Sequence, residues 1–163
     1  MDNIILNLFE RIARRAHLFS DEAITLGPVE HPFDTRNIHP VLPNLIRNMF
    51  DDGYYSQATF EACKYLDKEV ARIANCTESG YKLMMKAFQE ASPLITLTPL
   101  ITDTERDEQG GFKFMFTGTV MAIRNPRGHD YKIKDSIDDC LDHLALISLL
   151  LRRIEKAGYK LKT

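Results

Sequence analysis

Cysteine is scarce in this chain: Cys63, Cys76 and Cys140 are odd in number and far apart, and no C-x-x-C pair exists. That excludes a zinc knuckle or a dithiol motif, and the three thiols read as small apolar fillers in a reducing compartment. Long apolar runs are missing too, none approaching the roughly 20 residues needed to cross a bilayer. Asp2 and Glu10 stand where a secretory signal would carry positive charge, and the apolar residues there are periodic, not continuous. These absences point to a cytoplasmic protein without a membrane span. Neither sign of charge dominates, the formal net charge being −2. Contact with a polyanion would therefore need a local cluster of Arg and Lys. Internal repeats and low-complexity tracts are absent.

What is present fits one folded domain. Hydrophobic residues make up 44% and charged residues 27% of 163 positions, a globular balance at a length that buries a core without covalent staples. Ile4, Ile5, Leu8, Phe9 and Ile12 recur at helical spacing, with Arg11, Arg14 and Arg15 mostly opposite. They predict an amphipathic helix over about residues 2–18, better suited to packing on a core than to lying on a membrane surface. From Ser20 to Thr35, Gly27, Pro28, Pro32 and Asp34 predict an irregular connector. Residues 1–36 are thus an expected helical extension and residues 37–163 the main domain.

In that domain Pro40, in a first turn opened by Asn37 or His39, predicts a helix through Met49 that stops at Asp51-Asp52-Gly53. Tyr54 to Asn75 carries a broad apolar face with no interior Gly or Pro, the longest helix before the C-terminus. Ser79 to Glu90 reads as another, ended near Ser92-Pro93. Leu94 to Ile101 alternates apolar residues with Thr, but Pro99 interrupts it and no partner strand exists, which predicts an extended loop. Asp103 to Gly111 is acidic, polar and Gly-terminated, and is expected as exposed loop. Phe112 to Ile123 reads as helix, with a strand as the alternative. Asp135 to Ala157 is a final helix, apolar nearly all round, which belongs in the middle of a bundle or at a subunit interface. The expected fold is all-α, a bundle of four to five helices with an N-terminal helical extension.

Functional groups concentrate in one place, Arg124-Asn125-Pro126-Arg127-Gly128-His129-Asp130-Tyr131. Pro126 disfavours helix at Asn125 and Gly128 permits unusual backbone, so a tight turn is expected to aim Arg124 and His129 at a common point. Arg11 and His17 have comparable spacing, but on an amphipathic helix with no turn.

Arg124, four intervening residues, His129, an Asn directly after the Arg and a long apolar helix following resemble the signature of the HEPN superfamily, helical proteins that include metal-independent ribonucleases of toxin-antitoxin, abortive-infection and CRISPR systems. The string F-T-G-T-V-M-A-I-R-N-P-R-G-H is most similar to the Ymh-type group found near phage-defence and restriction genes. The resemblance covers roughly residues 39–157 and implies a HEPN-like bundle, RNA as substrate, no cofactor and no metal. It further implies a homodimer that brings two motifs face to face, compatible with an interface on the apolar final helix. Tyr131, two residues after His129, matches the extended pattern of HEPN toxins silenced when a nucleotidyltransferase antitoxin attaches AMP to that tyrosine; the plain reading is a Tyr packed at the base of the turn. A toxin or phage-defence effector is the implied role, with such an antitoxin or another defence protein as partner.

The residue types suit that chemistry. Metal-free RNA cleavage needs a base for the ribose 2′-hydroxyl, an acid for the departing 5′-oxygen and cations for the phosphate. An imidazole such as His129 exchanges protons near neutrality, and the planar fork of Arg124 can hold two phosphate oxygens. Asn125 would orient the phosphate or the imidazole. Arg127 is expected on the RNA backbone, and Lys64, with Asp67, Lys68 and Arg72, lines part of the long second helix and could face the substrate. Three rival readings stand beside this one. Asp138, Asp139, Asp142 and His143, with His129 or Asp130, could ligate a divalent ion. The bundle could instead be a non-catalytic RNA- or nucleotide-binding module, or the turn could be purely structural.

Overall fold

The computed structural model describes residues 9–14, 30–130 and 132–162, and among them every regular element is helical. Residues 9–14 are helical, in keeping with the predicted amphipathic helix; the rest of that helix and most of the connector lie outside the described residues. The connector's last residues are ordered onto the body. His31 Nδ1 accepts from Phe33 N at 3.0 Å and opens α1 (Pro32–Thr35). Phe33 then packs on Phe50 with ring centroids 5.1 Å apart, and Arg36 reaches Asp142 at 2.9 Å.

Pro43 decides where the next helix begins. A helix started at Pro40 would need an N–H from Pro43, which has none. So α2 is Asn44–Asp51, with Pro43 in the N-cap position. The other long helices fall close to their predicted spans: α3 is Tyr55–Ile73, α4 is Gly80–Ala87 and α7, the last, is Ile137–Lys156. Ala58, Ala62, Cys63, Leu66 and Val70 of α3 are buried with Cys140, Leu144, Ile147 and Leu151 of α7. Burial of each large aliphatic side chain contributes about 1.5–3 kcal/mol, which makes this packing the main support of the fold. α7 thus spends its apolar band inside the bundle; the interface expected on it has only Leu149 among its large apolar residues well exposed. No described helix is long and apolar enough to cross a membrane.

The 94–101 segment is irregular, as expected, and one side chain substitutes for a partner strand. Gln109 Oε1 accepts from Leu97 N at 2.8 Å, while its Nε2 donates to Ile95 O at 3.0 Å and Phe88 O at 3.3 Å. The expected loop at Asp103 to Gly111 is instead the start of α5 (Asp103–Gly118). Thr102 Oγ1 accepts from Glu105 N at 3.2 Å and the Glu105 carboxylate accepts from Thr102 N at 2.9 Å. That capping box satisfies the free first-turn donors, and the acidic residues complement the positive end of the helix.

Candidate functional site

The R-N-P-R-G-H segment is helical, which corrects the expected turn. α5 runs into a π-helical stretch, Thr119–Arg124, and then into α6, Asn125–His129. Asn125 has φ −62° and ψ −45°, and its N–H donates to Val120 O, five residues back. That wide turn lets a fresh helical turn begin at Asn125, with Pro126 in its first turn, where a missing N–H is harmless. Gly128 serves close approach and not unusual backbone. A Cβ there would stand 3.1 Å from Phe60 Cε2 on α3, tighter than ordinary packing.

Helical geometry sorts the segment's side chains onto different sides. Asn125 and His129 are four residues apart and so stack on one face, with Cβ atoms about 5–6 Å apart. Arg124 lies on the side of Gly128, toward α3 and α4, and its Nη1 donates to Asn125 Oδ1 at 3.4 Å. The guanidinium thus meets Asn125 from one side while the imidazole shares Asn125's face one turn on, and no bend folds the two together. Arg124 is partly buried and its Nε is sealed from solvent without a partner. His129 is exposed and makes no hydrogen bond or ion pair to another described residue.

Arg127 does not face outward as expected. Its Nε donates to Asp135 Oδ2 at 2.9 Å, its Nη2 pairs with Asp135 Oδ1, and Nη1 donates to Ile123 O at 2.7 Å. The two side chains are only 9% and 4% exposed, which leaves this guanidinium little surface to offer RNA. Asp135 N donates to Ser56 Oγ at 2.7 Å, and that hydroxyl donates to Ile133 O at 3.1 Å. The clamp thus ties α6 to the start of α7 and both to α3. Burial, then the Arg127 charge, holds the His143 imidazole below its ordinary pKa. Tyr131 falls outside the described residues.

On α3, Lys64 reaches the segment only through Phe60, the ring that touches Gly128. Its Nζ stands 5.5 Å over the Phe60 ring and is held by Glu61 at 2.7 and 2.9 Å. Lys68 is exposed, whereas Arg72 pairs with Glu69 at 2.6 Å. Asp67 is buried beneath α4, where its Oδ1 accepts from Gly80 N at 2.7 Å. Asp67, expected with Lys64 on a face toward the substrate, is thus inside, and its burial leaves no mark in the charge pattern. The Phe60–Gly128 contact was equally hidden, because it joins residues far apart in sequence.

Residues of the metal reading have other partners. Asp139 closes a capping box with Ser136, Asp138 and Asp142 face Arg36, and His143 sits beside Arg127. Among the described residues no three His, Cys, Asp or Glu groups are placed to hold an ion. Burial pushes the Cys63 thiol up to about 12 against the pull of Arg127 and Arg124, and pushes Cys140 up to about 11. Neither thiol is a nucleophile near neutrality.

One surface next to the site is unusual. Gly111, Phe114, Met115, Gly118, Met121 and Ala122 are exposed at helical spacing along α5 and the π stretch, an apolar strip ending one turn before Asn125, with Lys113 Nζ 4.7 Å from the centre of the Phe114 ring. Phe114 is 64% and Met121 52% exposed, while a Cβ on Gly111 or Gly118 would meet nothing within 4 Å.

Comparison with known proteins gives no significant match to a curated protein or to a solved structure. Residues 36–154, well over half of the chain, match the family described as a protein of unknown function (Hypoth_ymh), and the chain belongs to that family.

Proposed function

We propose that this chain is a metal-independent endoribonuclease of the HEPN type, acting as a toxin or phage-defence effector. The observation that carries the reading is the placement of His129: exposed, without a partner among the described residues, and one helical turn from an Asn125 that receives Arg124. In this reading the imidazole moves the proton, Arg124 Nη groups hold the scissile phosphate, and Asn125 sets their relation. The base takes the 2′-hydroxyl proton, the 2′-oxygen attacks phosphorus, and the 5′-oxygen leaves with a proton from the acid. Products carry 2′,3′-cyclic phosphate and 5′-hydroxyl ends.

One motif supplies one imidazole, whereas the reaction uses an acid and a base. A two-fold dimer through the apolar α5 strip would bring two motifs together, because its exposed glycines admit a second helix closely and the strip leads to Asn125. Arg127, engaged with Asp135, supports the scaffold in this scheme and not the substrate.

The test is cleavage of RNA by purified protein with and without EDTA, followed by analysis of the product ends. Cyclic-phosphate ends that persist in EDTA, vanish in His129→Ala and fall to a small residual rate in Arg124→Ala support the proposal. RNA bound but never cleaved by the parent protein would leave a non-catalytic RNA-binding module.

A further inference from the structure

Asp67 is a carboxylate 6% exposed in the middle of α3, and its one hydrogen bond among the described residues is from the backbone N–H of Gly80. Gly80 is the first residue of α4, and α4 has no side-chain cap of its own: Ser79 occupies the N-cap position without bonding to the helix. Asp67 therefore caps α4 from a neighbouring helix, placing negative charge at the positive end of the peptide dipoles. Gly80 has φ +64°, a conformation that side chains with a Cβ rarely adopt and glycine adopts freely, so the carboxylate grips the residue on which that corner turns.

The far side of Gly80 faces the site. A Cβ on Gly80 would lie 3.7 Å from Arg124 Nη1 and 3.8 Å from Val120 Cγ1, so the guanidinium rests on the bare backbone that Asp67 holds. Arg124 Nε is sealed at the same time and has no partner. The direction of the fork is thus fixed by packing, and by the 3.4 Å bond from Nη1 to Asn125, and not by a salt bridge.

We infer that Asp67 is a positioning residue for Arg124, fixing through Gly80 the seat on which the guanidinium lies. The inference rests on the nuclease reading only for its consequence in catalysis; its structural content stands apart. Asp67→Asn keeps an oxygen to accept from Gly80 N, whereas Asp67→Ala leaves that donor buried and free.

Two measurements test it. The first is a double-mutant cycle on RNA cleavage with Arg124→Ala. Asp67→Ala is expected to lower kcat about 10- to 100-fold in the parent protein, the scale on which small misplacements act. It should have no further effect once Arg124 is gone, and Asp67→Asn should recover most of the loss. Losses that multiply in the double variant, or an unchanged kcat, overturn the inference. The second needs no RNA: the sealed Arg124 Nε–H should exchange slowly with solvent in the parent and in Asp67→Asn, and quickly in Asp67→Ala or, if that variant does not fold, in Gly80→Ala. Unchanged exchange would overturn the inference whatever the cleavage assay reads. Failure of the parent to cleave RNA, with exchange behaving as expected, would sink the nuclease reading alone.

Discussion

The ring of Phe60 closes on the backbone of Gly128, with Cε2 3.1 Å and Cζ 3.6 Å from where a Cβ would stand. Two effects oppose each other at this point. Alanine in a helix gains about 1 kcal/mol over glycine, whereas overfilling a packed contact costs about 1–3 kcal/mol. Gly128→Ala is expected to destabilise the parent protein by roughly 1 kcal/mol and to stabilise a Phe60→Leu background by a similar amount. Urea melts of the four proteins decide it, and the same sign in both backgrounds would refute the packing argument.

The Arg127–Asp135 pair is nearly solvent-free, so removing one partner leaves a buried charge uncompensated. Arg127→Ala or Asp135→Ala should each cost about 3–5 kcal/mol, and a double change to well-packed apolar residues much less. Arg127→Lys should recover only part of the loss, since an ammonium cannot span both carboxylate oxygens and Ile123 O. Equal destabilisation by the single and double variants in urea would show that the pair is not the source of the effect.

The helices were legible because their apolar residues repeat at 3.6-residue spacing over long stretches, as in α3 and α7. The start of α5 was not, because Gly110 and Gly111 read as loop and the T-x-x-E pattern of Thr102 and Glu105 opens a polar run without an apolar stripe. The proline of the R-N-P-R-G-H segment misled for a physical reason: a π turn before it resets the hydrogen-bond ladder, and no local propensity announces such a turn. Arg124, Asn125 and His129 were legible as a motif. Which way each one points depends on α3 and α4, whose nearest contributions, Phe60, Asp67 and Gly80, are remote in sequence.

Glu69 ties the C-terminal residues to α3. Its carboxylate accepts from Lys162 N at 2.9 Å and pairs with Arg72, whose Nη2 also donates to Lys160 O at 2.7 Å. Burial would raise its pKa, but the bonds from Arg72 and Lys162 outweigh burial and hold it below its ordinary 4.5. A depressed carboxyl contributes stability that is complete above the ordinary value and lost as pH falls through the folded one. Protection of the amides at residues 160–162, taken relative to their intrinsic exchange rates, should therefore fall on acidification below about pH 4.5. Glu69→Gln should abolish that pH dependence, and an identical acid response in the variant would count against it.

His31 and His39 are built alike. Each Nδ1 accepts a backbone N–H two residues on, from Phe33 at 3.0 Å and Val41 at 3.1 Å, and each Nε2 meets a carboxylate, Asp51 or Glu155, at 2.8 Å. A nitrogen that accepts from an N–H carries no proton, so the neutral rings must hold theirs on Nε2. Nitrogen-15 spectra of the neutral rings should show both as Nε2–H tautomers. A Nδ1–H signal from either ring would contradict the arrangement.

The proposed composite site is tested most directly at Met121, which is 52% exposed on the π stretch one turn before Asn125. A charge there disturbs nothing inside the bundle, so Met121→Glu should change stability by no more than about 0.5 kcal/mol. In a two-fold interface the same carboxylate appears twice on apolar neighbours, and desolvating both opposes association strongly. Sedimentation should then show a dimer in the parent protein and a monomer in the variant, with RNA cleavage lost alongside. A charge on the exposed Leu149 of α7 should leave both unchanged. Cleavage by a monomeric Met121→Glu protein at the parent rate would mean that one chain holds both acid and base, and the dimeric scheme would fall while the assignment of His129 survived.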